Sequence, residues 1–311
     1  MLKKISLFFL FFFTIILSGC SDLFKEPPDH IEYLNPVWTI DGNIVFVRVN
    51  WSNKEGADGD TVSEDNIYSL NLDLPEEDNF KYQLKKYNTP SLKTGNSANQ
   101  LLLYYEDYLM DIETMSSYIE INENIVDADY SPSSDHLAVE TETGVKLYNN
   151  TFELQKELTN LTELSGWKYA DEIIGTAEID AGKVLRYITK ENEIVKEILI
   201  SSNVHVLQYY PDGKRVLCQL DENPIDGKIR FMKINKQEEK EYFTVNFAEE
   251  TVLNIQLNPT NSEQMLFSVE KRKWYIEGDP DDIAYFPSGI AIINTDGTGK
   301  QILRQRETIN K

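Results

Sequence analysis

The chain has 311 residues, with 52 acidic against 30 basic side chains and a formal net charge of −22. Nucleic-acid binding rests on Lys and Arg neutralising phosphate, so this balance argues against it, and it opposes close adhesion of the protein body to an anionic bilayer. Solubility and repulsion of nonspecific partners are what such charge supplies by default.

Residues 1–19 read as an export signal. Lys3 and Lys4 form a basic start, and the apolar run from Ile5 to Leu17 is too short for a membrane-spanning helix. The run ends in Leu17-Ser18-Gly19-Cys20, which resembles the lipobox of bacterial lipoproteins. That resemblance implies that Cys20 is acylated (palmitate or a similar chain) and becomes the first mature residue. One acyl chain binds a bilayer reversibly, at about 0.8 kcal/mol per buried CH₂, so the two or three chains of that family's anchor imply durable attachment. It also implies an exported protein lipid-anchored at a bacterial membrane. By the same resemblance Ser21, a residue other than Asp after the Cys, implies the outer membrane if the cell is Gram-negative. Residues 20–30 then form the lipidated Cys and a short tether containing Pro27-Pro28. With Cys20 acylated, Cys218 remains, so no internal disulfide is available. Its apolar setting, VLCQL, suits a small core residue better than a reactive thiol.

From 31 to 307 the chain reads as short β-branched or aromatic runs bounded by Gly, Pro, Asn and Asp. One phrase recurs: PVWTIDGNIVFVRV, YSPSSDHLAVE, YYPDGKRVLCQL and LNPTNSEQMLFSV each give an inner strand, a turn and a second strand. Six such units fall at about 31–87, 88–124, 125–160, 161–202, 203–247 and 248–307. Repeats of this length built from strands and turns favour a propeller over a solenoid. The third strands end in Asn71, Asn149, Asn235 and Asn294. The phrases Tyr210-Pro211-Asp212-Gly213 and Asn294-Thr295-Asp296-Gly297-Thr298-Gly299 resemble the repeat of TolB-type (WD-like) propellers. The resemblance is strong in blades five and six. In blade two the Pro-Asp-Gly turn is missing, and blade four has Ala170-Asp171-Glu172 in its place. The expected fold is all-β, a six-bladed propeller of four-stranded antiparallel blades, closed by packing between blades one and six without strand exchange between the termini.

Catalytic signatures are sparse. The chain has no H-E-x-x-H, C-x-x-C or G-x-S-x-G, and its histidines are His30 in the tether, His136 beside a turn and His205 in an inner strand. Burial of His205 is the simple expectation. More informative are the loops between second and third strands, which leave a propeller on the same face as the blade-to-blade connections. Three are long, in blades one, five and six, and they carry Asp58 and Asp60, then Asp221, Glu222 and Asp226, then Trp274, Tyr275, Asp279, Asp281 and Asp282. Three readings stand: solvated loops, a docking patch for a basic or cationic partner, and a Ca²⁺ site at Asp58-Gly59-Asp60 or Asp279-Pro280-Asp281-Asp282. The last lacks EF-hand spacing, and no other cofactor is expected. Trp38 and Trp167 belong to core packing or to a channel platform. The resulting expectation is a monomeric, noncatalytic scaffold that docks a protein or cell-envelope component through its loop face. A carbohydrate-active lyase or hydrolase with acids in the channel is the alternative.

Overall fold

The computed structural model describes residues 30–55, 61–73, 78–83, 91–94, 101–111, 118–169, 172–220, 228–247, 251–274, 283–305 and 307–308. No helix occurs among them. Six antiparallel sheets follow one another around a ring. Blade one is β1 (His30–Trp38), β2 (Ile44–Glu55), β3 (Thr61–Leu70) and β4 (Asp78–Gln83). Blade two is β5 (Ser91–Thr94), β6 (Leu101–Tyr105), β7 (Tyr108–Asp111) and β8 (Tyr118–Glu120). Blade three is β9 (Ile125–Tyr130), β10 (His136–Thr141), β11 (Gly144–Asn149) and β12 (Leu154–Glu157). Blade four is β13 (Glu163–Tyr169), β14 (Glu172–Ile179), β15 (Gly182–Thr189) and β16 (Ile194–Leu199). Blade five is β17 (Val204–Tyr209), β18 (Arg215–Leu220), β19 (Lys228–Asn235) and β20 (Lys240–Asn246). Blade six is β21 (Thr251–Leu257), β22 (Gln264–Trp274), β23 (Ile283–Asn294) and β24 (Gln301–Gln305). The protein is therefore a six-bladed β-propeller.

The core is divided as the ring is. Each of six apolar clusters fills one seam between neighbouring blades. Second strands serve two seams at once because successive side chains point to opposite faces. In β2, Ile44 and Phe46 enter the seam with blade six, while Val45, Val47 and Val49 enter the seam with blade two. In β10, Leu137 and Val139 face blade two and Ala138 faces blade four. In β18, Val216 and Cys218 face blade four and Leu217 faces blade six. Each fully buried aliphatic or Phe side chain contributes roughly 1.5–3 kcal/mol, so a lone blade, with both faces wet, would forfeit most of this. Cys218 is fully buried, and burial pushes its thiol up to about 12, which leaves a core residue and not a nucleophile.

The recurrent Asn has a local cause. Asn149 Oδ1 accepts the amides of Thr151 and Glu153 at 3.0 and 2.8 Å, and its Nδ2 donates to Glu153 Oε2 at 2.9 Å. Asn235 repeats the pattern with Gln237 and Glu239, and its Nδ2 donates to Glu239 at 2.7 Å. The side chain thus satisfies the amides of the turn that leads to the outer strand.

Ring closure departs from expectation. A short strand from the C-terminus, β25 (Glu307–Thr308), pairs with the start of β1, His30 opposite Thr308 and Ile31 opposite Glu307. Blade one therefore has five strands. Tyr33 donates its hydroxyl to Glu307 Oε1 at 2.8 Å, and Arg304 of β24 binds Asp78 of β4 through Nε at 2.8 Å and Nη2 at 2.5 Å. Two residues make too short a run to show an alternating pattern, so backbone pairing at the edge of β1, not hydrophobicity, selects this strand.

Candidate functional site

Two regions bear on function: the expected loop face and the central channel. Of the residues expected on the loop face, Asp58, Asp60, Asp221, Glu222, Asp226, Tyr275, Asp279, Asp281 and Asp282 lie outside the described residues, as does Cys20. Both suggested Ca²⁺ loops lie there too. Trp274 ends β22, paired with Ile283 at the start of β23. The backbone carrying two of these loops is described. Strands β2 and β22 have 12 and 11 residues, against 6 in β10 and 6 in β18. Blades one and six are neighbours, so these two long hairpins stand side by side. Among the described residues, no group of three or more His, Cys, Asp or Glu is placed to hold a metal ion.

The channel encloses about 740 Å³ and is lined by the first strands of all six blades. One side of its wall is apolar and amide-bearing. Exposed Ile40 and Leu253 lie near Asn35 and Asn254, whose amide donates to Asn35 Oδ1 at 3.1 Å. The other side is charged and is built by blades two, three and four. Lys93 Nζ of β5 lies 3.1 Å from Asp127 Oδ2 of β9. The Tyr104 hydroxyl donates to Asp127 Oδ1 at 3.0 Å, as does the amide of Ala128 at 2.8 Å. Burial opposes the charge on Lys93, but Asp127, Asp129 and Glu140 outweigh it and hold the ammonium above its usual range. Burial, reinforced by Asp127, raises the Tyr104 hydroxyl well above its usual range.

A bulge joins blade three to blade four. The β13 register breaks between Leu164 and Gly166, so the inner strand carries one residue more than β14 matches. Gly166 allows this with φ +153°, and a Cβ there would stand 3.4 Å from Asp129 Oδ2. Two β13 amides turn toward blade three: Leu164 N–H donates to Glu140 Oε2 at 2.6 Å and Trp167 N–H to Asp129 Oδ2 at 2.7 Å. Burial pushes Glu140 up to about 7, with Asp127 and Glu163 adding to it and the Leu164 amide opposing. Burial likewise pushes Asp129 up to about 6, against the pull of Lys93 and the Trp167 amide. Glu163 is exposed toward the channel and lies below its usual range: partial desolvation opposes the shift, but Thr176 donates to it at 2.5 Å and Lys183 pairs with it at 3.0 Å.

The sequence reading missed this wall, although a signal was there. Asp129 stands three residues before Pro132, and Gln208 and Gln256 stand three before Pro211 and Pro259. Gln208 Oε1 accepts Leu257 N–H at 3.3 Å and Gln256 Oε1 accepts Trp38 N–H at 3.4 Å. One repeat position thus joins each of these blades to the next, and only blade three fills it with an acid. Glu140 and Lys93 carry no comparable mark. Trp38 and Trp167 are 3% and 2% exposed and pack in seams, as the core reading expected, and both also border the channel. His205 corrects its expectation: it is exposed and borders the channel.

No family model matches the chain, and no curated protein does. Solved structures do match. One is a putative TolB from Agrobacterium tumefaciens, 13% identical over 76% of this chain and 86% of that one, with a TM-score of 0.54. A chain of the mitotic checkpoint complex matches at 11% identity over 91% and 84%, with a TM-score of 0.49. The dihydro-heme d1 dehydrogenase NirN matches at 11% over 89% and 67%, with a TM-score of 0.45. At such identities the likeness speaks to architecture alone, and the architecture of this chain is that of a TolB-like β-propeller.

Proposed function

We propose that the chain is a noncatalytic, lipid-anchored propeller that docks a protein or cell-envelope component on its loop face. One observation carries the noncatalytic part. The channel carboxylates are engaged within the ring: Asp127 with Lys93 and Tyr104, Asp129 with the Trp167 amide, Glu140 with the Leu164 amide, and Glu163 with Lys183 and Thr176. An acid that anchors a neighbouring blade is poorly placed to move toward a reacting bond. A TolB-like propeller suits a scaffold or binding role, and the two long hairpins of blades one and six carry the acidic and aromatic loops expected to meet a basic partner.

The test is capture of partners from detergent-solubilised envelope by the full chain. Changing Asp279, Asp281 and Asp282 together to Asn reduces capture and its salt sensitivity if the acidic loops dock the partner; unchanged capture removes them. Anchoring is tested separately. Labelled palmitate is incorporated by the wild type and lost in Cys20→Ala.

The carbohydrate-active reading keeps one supporting observation. Glu140 is held near 7 beside other carboxylates, the separation an acid–base pair uses. Turnover on a polysaccharide panel that disappears in Glu140→Gln would favour it and displace the docking reading.

A further inference from the structure

The channel wall between blades three and four holds more negative charge than the ring neutralises. Asp127, Asp129 and Glu140 come from blade three, and Glu163 faces them from β13. Lys93 of β5 is paired with Asp127, and Lys183 of β15 is engaged by Glu163. Tyr104 of β6 is bonded to Asp127, and His205 of β17 acts on Glu163 from the next blade. Among the described residues, Asp129 and Glu140 have no ion-pair partner; each holds one backbone N–H across the seam. Carboxylates crowded into one partly buried wall disfavour one another's charge, and the proton settles on those without an ion pair.

We propose that this seam is a proton-uptake device, in which Glu140 and Asp129, bonded across the blades to neutral amides of the β13 bulge and without an ion-pair partner among the described residues, take up protons and switch the channel wall between a more and a less acidic state. The geometry allows the switch without opening the seam. Each carboxyl accepts its cross-seam N–H through one oxygen, Oε2 of Glu140 and Oδ2 of Asp129, and Asp129 also accepts the Tyr130 amide; a carboxyl oxygen has a second lone pair, so a proton can bind while the bond across the blades persists. Burial, with Asp127 and Glu163, raises Glu140 against the Leu164 amide and Lys93; burial, with Asp127, raises Asp129 against Lys93 and the Trp167 and Tyr130 amides. A cationic group entering the channel therefore meets a stronger field above neutrality than below it. The device is independent of the loop-face docking and stands or falls without it.

The two amides that bind these carboxyls report on them. The full chain, ¹⁵N-labelled and purified in detergent, is titrated while the Leu164 and Trp167 amide resonances are followed. Midpoints near 7 for Leu164 and near 6 for Trp167 are expected. Glu140→Gln should abolish the Leu164 titration and keep that of Trp167; Asp129→Asn should do the reverse. In a His205→Gln control both midpoints should persist, and their loss would assign the signal to the imidazole and overturn the proposal. Wild-type midpoints in the ordinary carboxylate range, about 4, also overturn it. So does a Leu164 midpoint that survives Glu140→Gln. If either variant misfolds, the wild-type and His205→Gln titrations decide.

Discussion

At the seam between blades six and one, Arg304 faces Asp78, with side chains 13% and 14% exposed, and a terminal strand crosses to the next sheet. At the seam between blades three and four, Glu140 and Asp129 face backbone amides of a bulge, with no ion pair to either among the described residues. Both seams have an apolar cluster of the same kind. The difference lies in the polar layer laid over it. In one seam a carboxylate and a guanidinium tie the blades side chain to side chain, whereas in the other the acids meet only neutral donors across the seam and stay open to a proton. The seam that closes the ring is thus tied by an ion pair and a shared strand, and a seam on the channel is built to respond.

The sharpest way to break the comparison is Asp78→Ala. It removes the carboxylate from a largely buried guanidinium that still donates to the Leu303 carbonyl at 2.6 Å, and should destabilise the protein by up to about 3–5 kcal/mol in urea denaturation. A loss under about 1 kcal/mol would mean that solvent screens the pair and that the closing seam relies on its apolar cluster.

Next comes pH. Glu140 and Asp129 have folded values near 7 and 6 against ordinary values of 4.5 and 3.8, so between these limits the native state binds more protons than the unfolded chain. Their contribution is fully present below the ordinary values and is lost as pH rises through 6 and then 7. Unfolding free energy should therefore rise on going from pH 8 to pH 5.5, by on the order of 2 kcal/mol. Glu123 and Asp135 act oppositely. Hydrogen bonds from Lys146, and from Ser133 and His136, hold them low, so they withdraw stability only at more acid pH. Glu140→Gln should flatten the neutral slope and leave the acid limb unchanged; parallel curves for variant and wild type would remove the contrast between the seams.

Smaller effects sharpen the picture. Tyr33→Phe deletes the hydroxyl bonded to Glu307, and about 1 kcal/mol should disappear from thermal stability. Asn235→Ala frees the turn amides of Gln237 and Glu239 in an exposed setting and should cost about 0.5–1 kcal/mol, equally at pH 5.5 and pH 8. A pH-dependent cost there would show that the titrating groups are not confined to the channel seam.

Much of the fold was legible in the chain because it is written locally. Asn149 and Asn235 mark turns whose amides they bind, and Pro-Asp-Gly at Pro211 to Gly213 sets a corner that needs no distant contact. The alternation of Ile44 to Val49, apolar on both faces, required sheets covered on both sides. The candidate site was much less legible. Lys93, Asp127, Glu140 and Glu163 are ordinary polar residues of separate strands, and nothing in their neighbours along the chain distinguishes them from a solvated face. The position shared by Asp129, Gln208 and Gln256 was periodic, but its meaning depended on which amide of the following blade it would meet.

The sequence by itself determined the number of sheets, their antiparallel order and the residues that fill the seams, because strand propensity, alternation and turn chemistry act over a few residues. The tertiary structure alone decided how the ring closes and what the channel wall contains. Both depend on pairs far apart in the chain, such as the backbones of Ile31 and Glu307 and the Glu140 carboxyl with the Leu164 amide, which meet only once the ring has brought their strands together.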